Sequence, residues 1–394
     1  MLAVNPFLKT GEQLASHSRF PNATKRRHEA YRSQFTSQRQ KMTANVNYHT
    51  RLAGVLIGSA VGDSLGLPSE GLRPDRIRRR WHGEWKQRFI FGRGMCSDDT
   101  EHTFMVAQAL LTEPFDADRF QRCLAWKLKC WLVGLPAGVG LATARAILKL
   151  WMGFPPSRSG IYSAGNGPAM RSAIIGAFFA NDSKQRREFV VAATRITHTD
   201  PRAEIAALAV AEASAWAVNG GSKVEEFLLR LPDCRQNQEW LNLCRRLSDA
   251  YAANESLSGF CRSLGLERGV SGYAFHTVPV ALYGWLRHSD DFKMALTQTL
   301  DCGGDTDTVG AIVGALAGAS TGEDGIPNEW RSGIWEWPRS LSVIRDLAAR
   351  LERQTSQQNP VGPIHYFWPG LIFRNLMFLV VVLLHGFRRL LPPY

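Results

Sequence analysis

Acidic residues are scarce at both ends of this 394-residue sequence. Residues 1–50 hold eight Lys/Arg against two acids, and residues 360–394 hold three Arg and no acid. The stretch between them, 51–359, carries 36 basic and 33 acidic residues. The net charge of +12 therefore sits mostly in the tails. That excludes a broadly basic nucleic-acid-binding core and leaves room for a basic arm against an anionic surface.

Cysteine is equally thin. Seven residues (Cys96, Cys123, Cys130, Cys234, Cys244, Cys261, Cys302) are scattered, odd in number and free of Cys-x-x-Cys spacing. This speaks against a disulfide framework and against a zinc site, and it suits a reducing, cytoplasmic compartment. Strand-like alternation is nearly absent. No apolar stretch ahead of a small-residue cleavage site opens the chain, so a secretory leader is not expected.

What the sequence does hold is helical. Apolar and small residues recur at spacings of three and four in 51–63, 99–112, 119–132, 140–151, 168–180, 203–218 and 308–320. Gly/Pro clusters fall between these runs. With 45% hydrophobic residues the chain has ample material for a large core. Gly54, Gly58 and Gly62 share one helix face, and Gly310, Gly314 and Gly318 share another. Spacing of four lets backbones approach closely, and close packing inside a protein core is expected here because these runs are too short to span a bilayer.

The pattern divides the chain into three parts. Residues 1–50 read as a basic, disordered arm, with Met42 just ahead of the patterned sequence; 51–350 read as the helical body; 351–394 read as a linker and an apolar C-terminal helix. In that tail Phe367–Leu384 is interrupted only by Arg374 and Asn375. As a helix it would reach roughly 27 Å, near a hydrocarbon core of about 30 Å. Membrane contact through 367–390, with Arg374 snorkelling, stays open beside packing of the helix on the protein itself.

Two acid clusters carry the chemistry. Ser97-Asp98-Asp99-Thr100-Glu101 opens a helical run. A capping box with Asp98 as N-cap and Glu101 three residues on would account for one acid, but adjacent carboxylates repel unless a cation or hydrogen bonds compensate. Gly303-Gly304-Asp305-Thr306-Asp307-Thr308 precedes the second small-residue helix. Positions two apart do not share a helix face, so Asp305 and Asp307 are expected to project from a turn that the glycines permit. Carboxylates and hydroxyls are hard oxygen donors, suited to Mg²⁺ or Mn²⁺ more than to zinc, and EF-hand spacing is missing.

Five blocks then stand in order: Gly54–Gly66 (Gly-Val-Leu-Ile-Gly-Ser-Ala-Val-Gly-Asp63-Ser-Leu-Gly), Ser97–Glu101, Gly165-Asn-Gly-Pro-Ala-Met-Arg171, Thr197-His-Thr-Asp-Pro-Arg202, and Gly303–Thr308. Together they resemble the ADP-ribosylglycohydrolase family, over roughly 51–350. The resemblance implies an all-α fold, a single orthogonal multi-helix bundle, and a hydrolase with a binuclear Mg²⁺ or Mn²⁺ site. Its reaction would be cleavage of the glycosidic bond at the anomeric ribose carbon of an ADP-ribosylated protein or a related ADP-ribose conjugate.

Carried over by motif, the metal ligands would be Ser97, Asp98, Asp99, Asp305, Asp307 and Thr308, with Ser97 standing where the family often has Thr. Glu70 resembles the family's mobile acidic residue, and with Asp98 and Asp99 makes up the catalytic candidates. Gly165, Asn166, Gly167 and His198 are the substrate-binding candidates, the Gly-Asn-Gly turn through backbone N–H groups at a helix start. Asp63 and Arg171 could belong to the site or simply tie helices together. Tyr162 and Phe275 are aromatic candidates for stacking on adenine, against a reading as core. Rival functions are a non-catalytic ADP-ribose-binding relative, a two-metal phosphoesterase, and a membrane-tethered scaffold.

Overall fold

The computed structural model describes residues 48–231 and 237–389. All but the last three residues of the expected arm, Met42 included, fall outside them, as does Cys234. Among the described residues no strand occurs, only isolated bridges, so the all-α expectation holds.

The chain enters through α1 (48–66), which runs directly into a 3-10 turn at Leu67–Ser69. Next come α2 (Pro74–Trp81), α3 (Asp98–Thr112), α4 (Ala117–Val133), α5 (Leu141–Trp151) and α6 (Pro156–Ser159). Then follow α7 (Gly167–Met170), α8 (Ala173–Phe178), α9 (Ser183–Arg195), α10 (Pro201–Val218) and α11 (Val224–Leu228). The second half supplies α12 (Gln238–Ala252), α13 (Leu257–Ser263), α14 (Ala274–Arg287), α15 (Phe292–Leu300) and α16 (Thr306–Thr321). Last are α17 (Asn328–Ser332), α18 (Leu341–Thr355), which runs through position 350, and α19 (Gly370–Arg389).

The centre is α10, α14 and α16 packed on one another, with α7, α8 and α9 also against α10. Helix α10 is alanine-rich and buried nearly all round, as a helix without a polar face must be. Asp200 caps it, accepting from Arg202 N at 2.9 Å, with Pro201 at the first helical position.

The two glycine faces meet. A Cβ on Gly58 would stand 2.1 Å from the Gly314 carbonyl oxygen, and one on Gly62 would stand 1.9 Å from that of Gly310. Gly54 pairs likewise with Gly318, so α1 and α16 run antiparallel with backbones in contact. α1 is apolar and long enough to cross a membrane, yet its apolar window is wholly buried inside the protein. The glycines therefore serve a protein core, as expected, although burial and not shortness of the run is what shows it.

Two sequence expectations fail here. The single run expected over 168–180 is two short helices, α7 and α8, broken at Arg171-Ser172. The break falls at the fully buried Arg171, whose guanidinium donates to Ala193 O at 2.9 Å and to Thr197 Oγ1 at 2.7 Å. Arg374 does not snorkel. It lies buried on the inner stripe of α19, donating through Nε to Glu336 Oε2 at 3.1 Å and standing 3.6 Å from Glu101.

Candidate active site

The site forms where the first turns of α3 and α16 meet. Ser97, not Asp98, is the N-cap of α3: its Oγ accepts from Asp99 N at 3.3 Å and donates to Asp99 Oδ2 at 3.0 Å. The capping box also fails at its other end. Glu101 turns away into an ion pair with Arg339 and accepts from the Trp131 indole at 2.5 Å. That releases Asp98 and Asp99 from any capping duty.

Asp63, at the end of α1, holds this turn in place. Its carboxylate accepts from Ser97 N at 2.9 and 3.0 Å, and from Thr100 N and Oγ1 at 3.2 and 2.5 Å. Complete burial pushes its pKa up to about 7, with these hydrogen bonds opposing the shift. Asp63 is thus a strut between α1 and α3.

The second cluster needs its glycines. Gly303 and Gly304 have φ of +67° and +85°, a region that costs an L side chain dearly. A Cβ on Gly304 would also lie 1.9 Å from Val270 O. Gly304 donates to Leu72 O at 2.8 Å, and Asp305 N donates to Val270 O at 2.8 Å. The turn is thereby stitched to the segment after Glu70 and to the one before α14. Asp305 becomes the N-cap of α16, while Asp307 and Thr308 sit in its first turn.

The two clusters touch. Thr308 Oγ1 donates to Asp99 Oδ2 at 3.2 Å, and Asn166 Nδ2 donates to Asp305 Oδ2 at 2.6 Å. Asn166 Nδ2 also reaches Thr277 Oγ1 at 3.0 Å. Ser97, Asp98, Asp99, Asn166, Asp305, Asp307, Thr308 and Glu70 therefore share one region. Burial first, then neighbouring carboxylates, hold Asp98, Asp99 and Asp307 well above the usual range. Glu70 lies in the exposed turn after Ser69. Desolvation of its carboxyl and the charge of Asp305 raise its pKa, and Arg389 opposes them.

Buried carboxyls that repel one another call for a cation or a proton. Asp99 Oδ1 is buried without a hydrogen-bond partner, an orphaned acceptor in the middle of the acid group. Among the described residues no three His, Cys, Asp or Glu side chains close into a metal cage by themselves. The donor set is completed instead by the hydroxyls of Ser97 and Thr308 beside the carboxyls, a hard-oxygen set that fits Mg²⁺ or Mn²⁺.

The remaining candidates divide. His198 is buried against the Gly-Asn-Gly turn. A Cβ on Gly165 would lie 3.0 Å from its Nε2, and one on Gly167 would lie 3.3 Å from its Cε1. Its Nδ1 is 2.9 Å from Thr197 Oγ1. Burial, then Arg171, pushes the ring down to about 3, so it stays neutral. α7, which follows the turn, is a single turn of four residues, and its dipole is correspondingly small.

Arg171 ties helices, also meeting His102 Nδ1 at 3.1 Å. Phe275 is buried against Trp240 at 5.2 Å between ring centroids, so it is core and not a stacking surface. Tyr162 is exposed. Sequence reasoning missed Thr277. A lone hydroxyl in an apolar helix gives no local signal, and only its contact with Asn166 marks it.

Comparison with known proteins agrees with this geometry. The ADP-ribosylglycohydrolase family profile matches residues 44–360. An uncharacterised protein of Archaeoglobus fulgidus is 31% identical over 311 residues, covering 75% of this chain and 94% of that protein. ADP-ribosyl-[dinitrogen reductase] glycohydrolase of Rhodospirillum rubrum is 28% identical, covering 77% and 95%. Human ADP-ribosylhydrolase ARH3 is 27% identical, covering 71% and 86%. A solved chain described as an ADP-ribosylglycohydrolase-related protein complex superposes with a TM-score of 0.55 at 27% identity, covering 78% of this chain and 99% of that one. With two touching acid clusters on an all-helical body and a family match over most of its length, the chain is a hydrolase of the ADP-ribosylglycohydrolase family.

Proposed function

We propose that this protein hydrolyses the bond between the anomeric ribose carbon of ADP-ribose and a protein side chain or small-molecule leaving group, with two Mg²⁺ or Mn²⁺ ions as cofactors. The observation that supports this most directly is the Thr308–Asp99 contact, which joins two acid clusters separated by about half the chain into one oxygen-rich group.

Breaking a glycosidic bond at that carbon develops oxocarbenium-like charge on the ribose. Bound divalent cations would orient the vicinal ribose hydroxyls and make a water more acidic. The carboxylates of Asp98, Asp99, Asp305 and Asp307, with the hydroxyls of Ser97 and Thr308, would hold them. Asn166 orients Asp305 through its 2.6 Å hydrogen bond. Glu70, on the exposed turn and close enough to Asp305 to feel its charge, would take a proton from an attacking water or face the leaving group. The neutral His198 ring and the Gly165-Asn166-Gly167 backbone form the wall on which a ribose-diphosphate would lie.

The test is release of ADP-ribose from separately prepared arginine-linked, serine-linked and nucleobase-linked substrates, with magnesium, manganese or EDTA. Metal-dependent release from one of them establishes the reaction and names the linkage. ADP-ribose binding with no release from any would overturn hydrolysis in favour of a non-catalytic reader. AMP as the product would mean a phosphoesterase.

A further inference from the structure

The helix α19 covers the protein with only one of its faces. Gly370, Leu371, Arg374, Asn375, Phe378 and Val381 point inward at helical spacing. This stripe is fixed by specific bonds. Arg374 pairs with Glu336, Asn375 donates to Gly134 O at 2.7 Å, and the His385 ring lies 2.7 Å from Phe89 O. The opposite stripe is bare: Phe373 is 70% exposed, Val380 56%, Leu384 62% and Phe387 65%. An apolar strip of this length is unusual on a monomer surface and marks an interaction site.

The strip does not end with the helix. The Asn375–Gly134 bond sets α19 beside the C-terminus of α4, where Val133 and Leu135 are also exposed. Trp126 of α4 and Trp368, just ahead of α19, line one depression of about 260 Å³, together with Lys127. Further along, the Lys129 ammonium sits 5.3 Å from the Trp126 ring and 4.3 Å from the Trp151 ring, and Lys149 sits 5.3 Å from that of Phe154. Exposed aromatics and half-buried lysines thus stand side by side on α4 and α5, with Lys149 also donating to Gly160 O at 3.2 Å.

Its charge has one sign. From Arg119 to Asn181 there are eight Lys/Arg and no acid, with only Arg171 of the eight fully buried, and from Arg353 to the last residue there are four Arg and no acid, with Arg374 buried in its ion pair and the other three outside it. The middle of the chain is otherwise nearly balanced, so the two acid-free segments single out this side. A protein partner matched to it would need a large apolar face studded with acids. A bilayer with anionic headgroups presents both properties at once.

We propose that this surface is a membrane-docking face, on which α19 lies in the plane of an anionic phospholipid bilayer. The helix does not cross: its inner stripe holds a buried Arg and a buried Asn bonded to the body, and those contacts would have to break for it to span. Phe373, Val380, Leu384 and Phe387 enter the acyl boundary, Trp126 and Trp368 sit at headgroup depth, and Lys127, Lys129 and Lys149 meet the phosphates. Arg389, at the far end of α19, donates to Glu70 O at 2.8 Å, so the docked helix adjoins the turn that carries Glu70.

The test is co-sedimentation of the full chain with phosphatidylcholine vesicles, with and without phosphatidylserine. Binding is expected only with phosphatidylserine and is expected to fall as salt is raised. The double variant Val380→Asp/Leu384→Asp should lose roughly tenfold or more in partitioning, and Lys129→Glu/Lys149→Glu should lose a comparable part, both with unchanged melting. Failure of the parent chain to bind anionic vesicles, or equal binding to neutral ones, overturns the proposal. A dimer by light scattering that Val380→Asp/Leu384→Asp dissolves would overturn it too, since a second copy would then cover the face.

Discussion

The hydroxyl of Thr308 donates to Asp99 Oδ2 at 3.2 Å, so a side chain from the first turn of α16 is a direct neighbour of one from the first turn of α3. The other carboxylate oxygen of Asp99 has no partner. Asp99→Asn keeps the shape and removes the charge. Turnover should fall by roughly two to three orders of magnitude or more, in line with losing a group that stabilises developing charge. Melting in EDTA should hold or rise, because one of several mutually repelling acids is gone. Asp305→Asn and Asp98→Asn should behave alike. Full turnover by any of the three at parent metal affinity would remove that residue from the ligand set.

Metal addition gives the complementary reading. A cation that binds the folded acid cluster stabilises the protein by mass action, by about 2.7 kcal/mol at a hundred times its dissociation constant. Mg²⁺ or Mn²⁺ should therefore raise the melting temperature of the parent chain in a concentration-dependent way, and Ca²⁺ less so because of its larger size. In Asp99→Asn/Asp305→Asn the rise should vanish. A metal-independent melting temperature in the parent would speak against any cation among these residues.

Much of this site was legible in the chain because its signals are local. Adjacent acids at 98 and 99, and alternate acids at 305 and 307 behind two glycines, look wrong for ordinary capping, and the positive φ of Gly303 and Gly304 shows why. The glycine faces of α1 and α16 were readable from spacing alone. Other features were not, because they depend on partners far away in sequence. Nothing near Asp63 says that it accepts from the turn at Ser97, and nothing near Arg171 says that its guanidinium is buried against Thr197. Phe275 looked available for stacking because sequence does not reveal which aromatic faces inward. The inner stripe of α19 was hidden for a related reason: Arg374 reads as a break in an apolar run until Glu336 is placed beside it.

The glycine contact makes a stability prediction. Gly62→Ala would put a methyl 1.9 Å from the Gly310 carbonyl oxygen, and neither backbone can yield without parting α1 from α16. Overpacking of this kind costs about 1–3 kcal/mol and sometimes more. Because α1 leads to Glu70 and α16 carries Asp305–Thr308, some of the cost should appear as lost metal affinity as well as a lower denaturation midpoint. Gly386→Ala, on α19 with nothing near its Cβ, is the control and should be neutral or slightly stabilising. Equal midpoints for Gly62→Ala and the parent would refute the close approach.

Arg374 yields a sharper case. It is buried, with Glu336 and Glu101 as its acidic partners and Cys96 O as a further acceptor. Removing one member of a buried pair leaves the other uncompensated, at about 3–5 kcal/mol. Arg374→Met should lower the denaturation midpoint by a matching amount and expose α19 to proteolysis before the body unfolds. The double variant Arg374→Met/Glu336→Gln should recover part of the loss, since the stranded carboxylate is then gone. No recovery would assign the cost to packing of the arginine stem instead.

His198 sets an acid limit on the fold. Its ring titrates near its ordinary 6.5 in the unfolded chain, but burial, then Arg171, lowers it to about 3 in the folded protein. Between those values the unfolded state binds a proton that the folded state refuses, so stability must rise with pH through that window and fall as pH drops from about 6.5 toward 3. His102, buried beside Arg171 and shifted down by the same two causes, adds to the slope. His198→Gln cannot take up that proton, so its stability should depend less steeply on pH between about 6 and 4 than the parent's. Urea denaturation at a series of pH values reads this directly. An unchanged slope in His198→Gln would mean that burial does not lower the ring's pKa on folding, and the folded ring would then take up a proton below its ordinary 6.5.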